Sequence, residues 1–287
     1  MTSSSPALPT SANHWQRTVI ESVVTHAKAD SRIAGVSLSG SGATDALDEY
    51  SDLDFVIAIS PEHIDAMMDE RKLFAEKVAT LLTSFTGEHV GEPRLLICLY
   101  SLPELLHVDY KFVALPDVVQ RVDTPAVLWE RKAGLLSQYY EDEAHYPAPS
   151  LQWCEDRFWV WLHYGATKLA RGEHLECHTL IGFIGENVIG PLAKINAGFE
   201  ANGLRRLESQ APEVAATLAS CLRFTDAESL GDGLHNIARL YLELRSCHPE
   251  NSTLVNHPQA QKHALHFTEA AINAAIDREK NSRNVVK

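Results

Sequence analysis

The sequence lacks the features that mark a membrane protein or a secreted one. No apolar run among its 287 residues approaches the roughly 20 residues that a membrane-spanning helix needs. The five cysteines are odd in number and widely spaced, without a Cys-x-x-Cys pair, which is typical of a reducing compartment and argues against structural zinc. The first residues are rich in Ser and Pro but do not form a signal peptide pattern. We expect a cytoplasmic protein that does not contact a membrane.

Basic residues are also scarce. The chain has 25 Lys and Arg against 38 Asp and Glu, a formal net charge of −13. A general nucleic-acid binder needs surplus Lys and Arg to neutralise phosphates, so the balance argues against that function. An acidic surface suits a cationic small molecule better, although acidity is also common among proteins of other functions.

Length and local composition predict two domains. A disordered leader is predicted for residues 1–13, a domain of mixed strands and helices for 14–145, and a helical domain for 146–287. The acidic residues 141–143 and the prolines that follow them predict a solvated connector between the domains. We expect a ligand cleft where the domains meet, because pockets often form there.

Apolar periodicity predicts the elements within these domains. In the first domain it indicates helices over 15–28 and 62–84 and strands over 33–39, 53–59, 94–100, 107–113 and 127–131. In the second it indicates helices over 151–171, 175–196, 212–224, 227–245 and 258–278, the second of them kinked at Pro191.

One stretch of the first domain combines a glycine turn with an acidic pair. Gly40-Ser41-Gly42 interrupts the end of an apolar strand and leaves backbone N–H groups approachable by a phosphate. About ten residues later Asp52 and Asp54 flank the start of the next strand. Strand side chains alternate, so these carboxylates share one face and repel each other unless a cation lies between them. Mg²⁺ prefers oxygen ligands of this kind.

The stretch resembles the signature of the nucleotidyltransferase superfamily related to DNA polymerase β. The run Tyr50-Ser51-Asp52-Leu53-Asp54 is most similar to the small-molecule branch, the aminoglycoside and lincosamide adenylyltransferases. The resemblance implies an α/β domain with a mixed sheet and helices on one side, followed by an all-helical C-terminal domain. It also implies antibiotic resistance through Mg²⁺-dependent transfer of AMP from ATP to a hydroxyl of a small molecule. A Gly-rich hairpin with two solvated aspartates is the alternative, and it leaves the apolar residues around the aspartates unexplained.

A third carboxylate lies on a later strand. His107, Asp109 and Lys111 share one face of the predicted strand 107–113. In the resembling superfamily a carboxylate on a neighbouring strand completes the site, which implies that Asp109 is a third metal ligand or the general base. An Asp109–Lys111 ion pair on an exposed sheet face is the alternative.

The resemblance also implies nucleotide-binding residues. The backbone of Gly40 and Ser41 and the Ser41 hydroxyl would bind phosphate oxygens. Lys168 and Arg171 lie near the end of the first C-terminal helix, on a stripe where cations alternate with aromatic residues, and could hold a triphosphate. Basic residues are also common near helix C-termini because the helix dipole favours them, so this alternative stays open.

Two other functions stay open from the sequence. The same fold could attach AMP to a protein, as toxin–antitoxin members of the superfamily do, or it could be a non-catalytic nucleotide-binding protein. The retained acidic pair argues against the second. The acceptor, the preferred nucleotide and whether two copies form a homodimer are not identified by any motif.

Overall fold

A computed structural model describes residues 8–144 and 146–285. The chain folds into two compact units, one up to residue 145 and one from residue 146. Among the helices of the described residues, none combines the length and apolar character that crossing a membrane requires.

The N-terminal unit is a mixed β-sheet with helices. Its strands are β1 (Ile33–Leu38), β2 (Leu53–Ile59), β3 (Thr80–Gly87), β4 (Glu92–Ser101), β5 (Leu105–Ala114) and β6 (Ala126–Glu130), and its α-helices are α1 (His14–Ala29), α2 (Gly40–Ala43) and α3 (Ile64–Val78). The sheet order is β3-β4-β5-β2-β1-β6. Only β2 and β5 pair in parallel among the described strands, and the other neighbours are antiparallel. The mixed sheet that the sequence predicted is therefore confirmed.

Alternation along the strands places the core of this unit. On β2 the side chains of Leu53, Phe55 and Ile57 are fully buried and join the core formed with α1 and α3. The residues between them, beginning with Asp54, are partly exposed at the start of the strand. One face of β2 therefore belongs to the core, while the opposite face is open where the strand begins.

The predicted helix over residues 62–84 is wrong in its last six residues. Helix α3 ends at Val78, the next residue has an extended backbone, and β3 begins at Thr80. Phe85 of β3 is opposite Ile97 of β4, and Leu82, which extended the helical apolar pattern, is 53% exposed. Pairing with β4 supplies the backbone hydrogen bonds of this segment, and that tertiary gain outweighs a weak local helical pattern.

The leader that the sequence predicted to be disordered falls partly outside the described residues, which begin at residue 8. Residues 8–13 are held by hydrogen bonds. The Arg17 guanidinium donates to the carbonyl oxygens of Pro9, Thr10 and Ala12 at 2.7–3.0 Å. The N–H of Ser11 donates to Asp45 at 2.8 Å. A polar, Pro-containing segment can thus be ordered by bonds to its backbone, which composition does not reveal.

The C-terminal unit is helical, as predicted. Its α-helices are α4 (Leu151–Ala170), α5 (His174–Ile184), α6 (Gly190–Asn196), α7 (Leu207–Gln210), α8 (Pro212–Cys221), α9 (Ala227–Cys247) and α10 (Pro258–Val285). A π-helical turn, Gly185–Ile189, joins α5 to α6, and Pro191 lies in the first turn of α6. The helical irregularity that the sequence predicted as a kink at this proline is therefore a π-helical turn just before it.

A buried carboxylate links the long helices of this unit. Glu155 of α4 is fully buried, and its carboxylate accepts hydrogen bonds from the Tyr241 hydroxyl at 2.6 Å and the Trp159 indole N–H at 3.0 Å. The guanidinium of Arg245 lies 2.9 Å from the same group. The backbone N–H of His257 also donates to it. The charge is thus neutralised, and both carboxylate oxygens are hydrogen-bonded.

Removing this carboxylate should destabilise the protein strongly. We expect Glu155→Ala to lower the free energy of unfolding by about 3–5 kcal/mol, because it leaves the largely buried Arg245 charge without its carboxylate partner and removes the acceptor of Tyr241 and Trp159. Asp156→Ala is the matched control, since Asp156 is the next residue of α4, is exposed and is also paired, with His257. Exposed ion pairs contribute little, so the control should lose far less. Equal losses in urea denaturation would contradict this account.

Candidate active site

The candidate site forms where β2 and β5 lie side by side. In their parallel register Asp54 is directly opposite Asp109, and Leu53 is opposite Val108. Adjacent strands are about 4.8 Å apart, so the two carboxylates lie on neighbouring positions of one face. Asp52 precedes β2 by one residue and is partly exposed, as Asp54 is. The structure therefore brings the three acidic residues singled out in the sequence to one edge of the sheet.

Gly40 packs closely against Asp54 at this edge. Its φ is +60°, and a Cβ added there would lie 2.7 Å from Oδ2 of Asp54. The N–H of Ser39 donates to the carbonyl oxygen of Asp54 at 2.8 Å, which holds the turn against the strand. A side chain at residue 40 would thus adopt a strained backbone and collide with a carboxylate of the site. This close approach explains the glycine at the first position of the turn.

Ser41 and Gly42 continue the turn as the short helix α2. Ser41 is 7% exposed, and its carbonyl oxygen accepts from the N–H of Ala46 at 2.9 Å. A Cβ at Gly42 would collide with the Leu38 side chain. The turn is therefore packed tightly against β1, and phosphate binding by Gly40 and Ser41 stays a prediction.

His107 lies between two of the carboxylates. Its Nε2 is 2.8 Å from Oδ1 of Asp109, and its Nδ1 is 3.9 Å from Oδ2 of Asp52. The contact with the Asp109 carboxylate raises the pKa of His107 above its usual value. The approach is not aligned as a hydrogen bond, so Oδ1 of Asp109 is buried without an aligned partner in the described part of the chain. Lys111 is 3.0 Å from Glu92, so the Asp109–Lys111 pair of the alternative interpretation is replaced by two other contacts.

Asp123 is a site neighbour that no sequence pattern indicated. The N–H of Gly40 donates to its Oδ2 at 2.7 Å. The sheet explains the contact, because Leu38 at the end of β1 pairs with Ala126 at the start of β6. The loop before β6 therefore reaches the turn after β1. Asp123 thus adds a further carboxylate beside the turn. Tyr140 lies nearby, with its hydroxyl 3.1 Å from the Ser37 hydroxyl, and burial raises its pKa.

The predicted basic residues lie in the C-terminal unit. Lys168 is held by two carboxylates of its own unit, Glu173 at 2.6 Å and Glu176. It also lies over the ring of Tyr164, 5.1 Å from the ring centroid. Arg171 is the C-cap residue of α4 and is exposed. Their role in nucleotide binding stays a prediction, and a phosphate at Lys168 would compete with two acidic side chains.

Asp52, Asp54 and Asp109 form an acidic edge of the sheet, and this acidic edge is not a complete metal-binding site. Within residues 8–144 and 146–285, no three His, Cys, Asp or Glu side chains are grouped so that they could hold a metal ion. The edge instead presents carboxylates from one side, on two adjacent strands. An ion there would need further ligands from solvent or substrate.

The comparisons with known proteins give remote structural neighbours and no match by sequence. No family model matches the chain, and no curated protein matches its sequence. Among solved structures, an aminoglycoside 6-adenyltransferase from Bacillus subtilis shares 14% identity, with 88% of this chain and 97% of that chain covered and a TM-score of 0.39. A nucleotidyltransferase-like protein from Exiguobacterium sibiricum shares 13% identity, with 79% and 74% covered and a TM-score of 0.34. Similarity at this level does not establish an activity. Any proposed function must therefore come from the geometry of the site.

A substitution at Gly40 tests this geometry. We expect Gly40→Ala to lower the free energy of unfolding by about 1–2 kcal/mol through its left-handed backbone alone, and by more through the collision with Asp54. Gly91→Ala is the matched control, since Gly91 has a φ of +73° and no atom within 4 Å of an added Cβ. Urea denaturation of both variants measures the difference. If Gly91→Ala were as destabilised as Gly40→Ala, the collision with Asp54 would contribute nothing to the loss of stability.

Proposed function

We propose that this protein is a Mg²⁺-dependent nucleotidyltransferase that transfers AMP from ATP to a hydroxyl of a small molecule. The acceptor we propose is an antibiotic of the aminoglycoside or lincosamide type, and the biological role is antibiotic resistance in the cytoplasm. The observation that carries the proposal is the parallel register that sets Asp54 opposite Asp109, with Asp52 on the same edge and Gly40 against Asp54.

The residues at this edge fit a magnesium ion. Mg²⁺ is usually held by one or two carboxylates and keeps water and substrate phosphates as its other ligands, so it does not need a protein cage. Asp52 and Asp54 would hold it, with Asp109 as a third ligand or the base. Oδ1 of Asp109 is buried, and its contact with His107 Nε2 at 2.8 Å is not an aligned hydrogen bond, so this carboxylate is not fully satisfied by the described residues. When bound, Mg²⁺ would neutralise charge on the triphosphate.

The side chains of the chain then have separate tasks. In the proposed reaction Asp109 takes the proton of the acceptor hydroxyl. The hydroxyl oxygen forms a bond to the α-phosphorus, the bond from this phosphorus to the bridging oxygen breaks, and pyrophosphate leaves. The turn at Gly40 and Ser41 orients the phosphates, with Lys168 and Arg171 as further candidates. Positioning and charge stabilisation supply most of the acceleration in such reactions.

Charge supports a cationic acceptor. The chain carries a formal net charge of −13, and Asp123 adds a carboxylate beside the turn. An acidic field raises the local concentration of cations, and it disfavours nucleic acid as the acceptor. All five cysteines are free, which agrees with a reducing cytoplasm, where ATP is also available.

Pyrophosphate release tests the proposal directly. The purified protein is incubated with each of the four nucleoside triphosphates and a panel of aminoglycosides and lincosamides, with Mg²⁺ and with excess chelator. We expect acceptor-dependent release with ATP that the chelator abolishes, and an adenylylated acceptor in the mass spectrum. Release without any modified acceptor, or a modified protein in place of a small molecule, would contradict the proposed acceptor class.

Substitution of the central carboxylate separates catalysis from folding. We expect Asp54→Asn to lower kcat by about 10³-fold or more, because the site loses a charge that offsets the metal and phosphates. The thermal unfolding midpoint should change little, since Asn has nearly the same size and keeps one side-chain oxygen. Asp69→Asn is the control, since Asp69 is an exposed residue of α3, the helix that covers the opposite, apolar face of the sheet. Full turnover by Asp54→Asn would rule out the proposed site.

A further inference from the structure

A histidine outside the predicted site set contacts one carboxylate on its own strand and another just before β2. His107 lies 2.8 Å from Oδ1 of Asp109 and 3.9 Å from Oδ2 of Asp52. Both contacts follow from side-chain alternation on β5 and from the register of β5 with β2. His107 and Asp109 are two residues apart on β5 and share a face, and the pairing of Leu53 with Val108 sets the preceding residues, Asp52 and His107, alongside each other.

We propose that His107 is a positioning residue for the base Asp109, an inference that rests on the proposed function. The imidazole holds Oδ1 of Asp109, so that Oδ2 is the oxygen that faces the acceptor hydroxyl and takes its proton. Oδ1 is buried, whereas the Asp109 side chain as a whole is 16% exposed. The exposed part of this side chain therefore does not include Oδ1.

Asp109 needs such a contact because its own rotamers do not orient it. The terminal torsion of an aspartate is broad, so either oxygen can face the substrate unless a neighbour holds one of them. Repulsion from Asp54, which is directly opposite, would also rotate the carboxylate away from the site. The imidazole Nε2, 2.8 Å from Oδ1, counters both effects by favouring one orientation of the carboxylate. The other nitrogen of the same ring lies 3.9 Å from Oδ2 of Asp52. The orientation of the base therefore depends on the position of the acidic pair.

The contact is unlike those that support the fold. The His107 side chain is 47% exposed and lies on the open face of β5, whereas the core side of this strand is formed by Val108, Tyr110 and Phe112. Loss of an exposed ring costs little stability compared with the loss of a core residue. A positioning role predicts a large effect on kcat with a small effect on unfolding.

The test compares His107→Ala and His107→Gln with wild type in the pyrophosphate assay, with thermal unfolding measured for each. We expect His107→Ala to lower kcat about 10- to 100-fold, as misplacement of a catalytic group does, with the KM for ATP unchanged. His107→Gln keeps an N–H donor at a similar reach and should recover part of the loss. His63→Ala is the matched control, with a side chain that is 44% exposed and lies 4.0 Å from the Glu62 carboxylate. It should match wild type in both measurements.

Three results would overturn the inference while leaving the proposed function standing: full kcat in His107→Ala, a rise in the KM for ATP without a change in kcat, or a loss of activity matched by a lower unfolding midpoint. Each of these requires an active wild type. A wild-type protein that releases no pyrophosphate with any nucleotide and acceptor contradicts the proposed function itself. The two failures are therefore distinguished by the wild-type measurement.

Discussion

The parallel pairing of β2 with β5 is the constraint on which the rest of the site depends. It sets Asp54 opposite Asp109 on the open face, and the same register buries Leu53 and Val108 on the other. A shift of one residue would exchange these faces and place carboxylates in the apolar core, at a large cost in free energy. Hydrophobic burial therefore fixes the position of the acidic groups, and the core and the site are set by one register.

The acidic edge brings like charges together next to a histidine, a glycine and a further carboxylate. The imidazole of His107 lies between carboxylates of the two strands, and Gly40 allows the backbone to approach Asp54 without a side chain between them. Asp123 adds negative charge next to the turn. An edge of this composition favours cations over anions.

In the helical unit, Glu155 and Lys168 are paired with charges of opposite sign. Glu155 is surrounded by hydrogen-bond donors and the Arg245 guanidinium, so its charge stabilises a fixed arrangement of helices and is closed to solvent. Lys168 is paired with two acidic side chains near the end of α4, and any phosphate there would have to replace these carboxylates. At the sheet edge, by contrast, Asp52 and Asp109 both contact one half-exposed imidazole, which leaves this edge open to a cation from solvent.

The sequence by itself determined the elements whose side-chain period is strong and local. The two-residue alternation around Asp52, Asp54 and Asp109 and the helical stripes after residue 150 follow from nearest-neighbour geometry, which the sequence carries directly. The helical pattern over 62–84 failed at β3 because strand pairing with β4 outweighed it. The same two-residue alternation put His107 beside Asp109 on β5. Only the tertiary structure, however, placed the His107 ring 3.9 Å from Oδ2 of Asp52. It also placed Asp123 at Gly40. Those contacts depend on sheet order and register, which are set by burial across the whole unit and leave no local pattern.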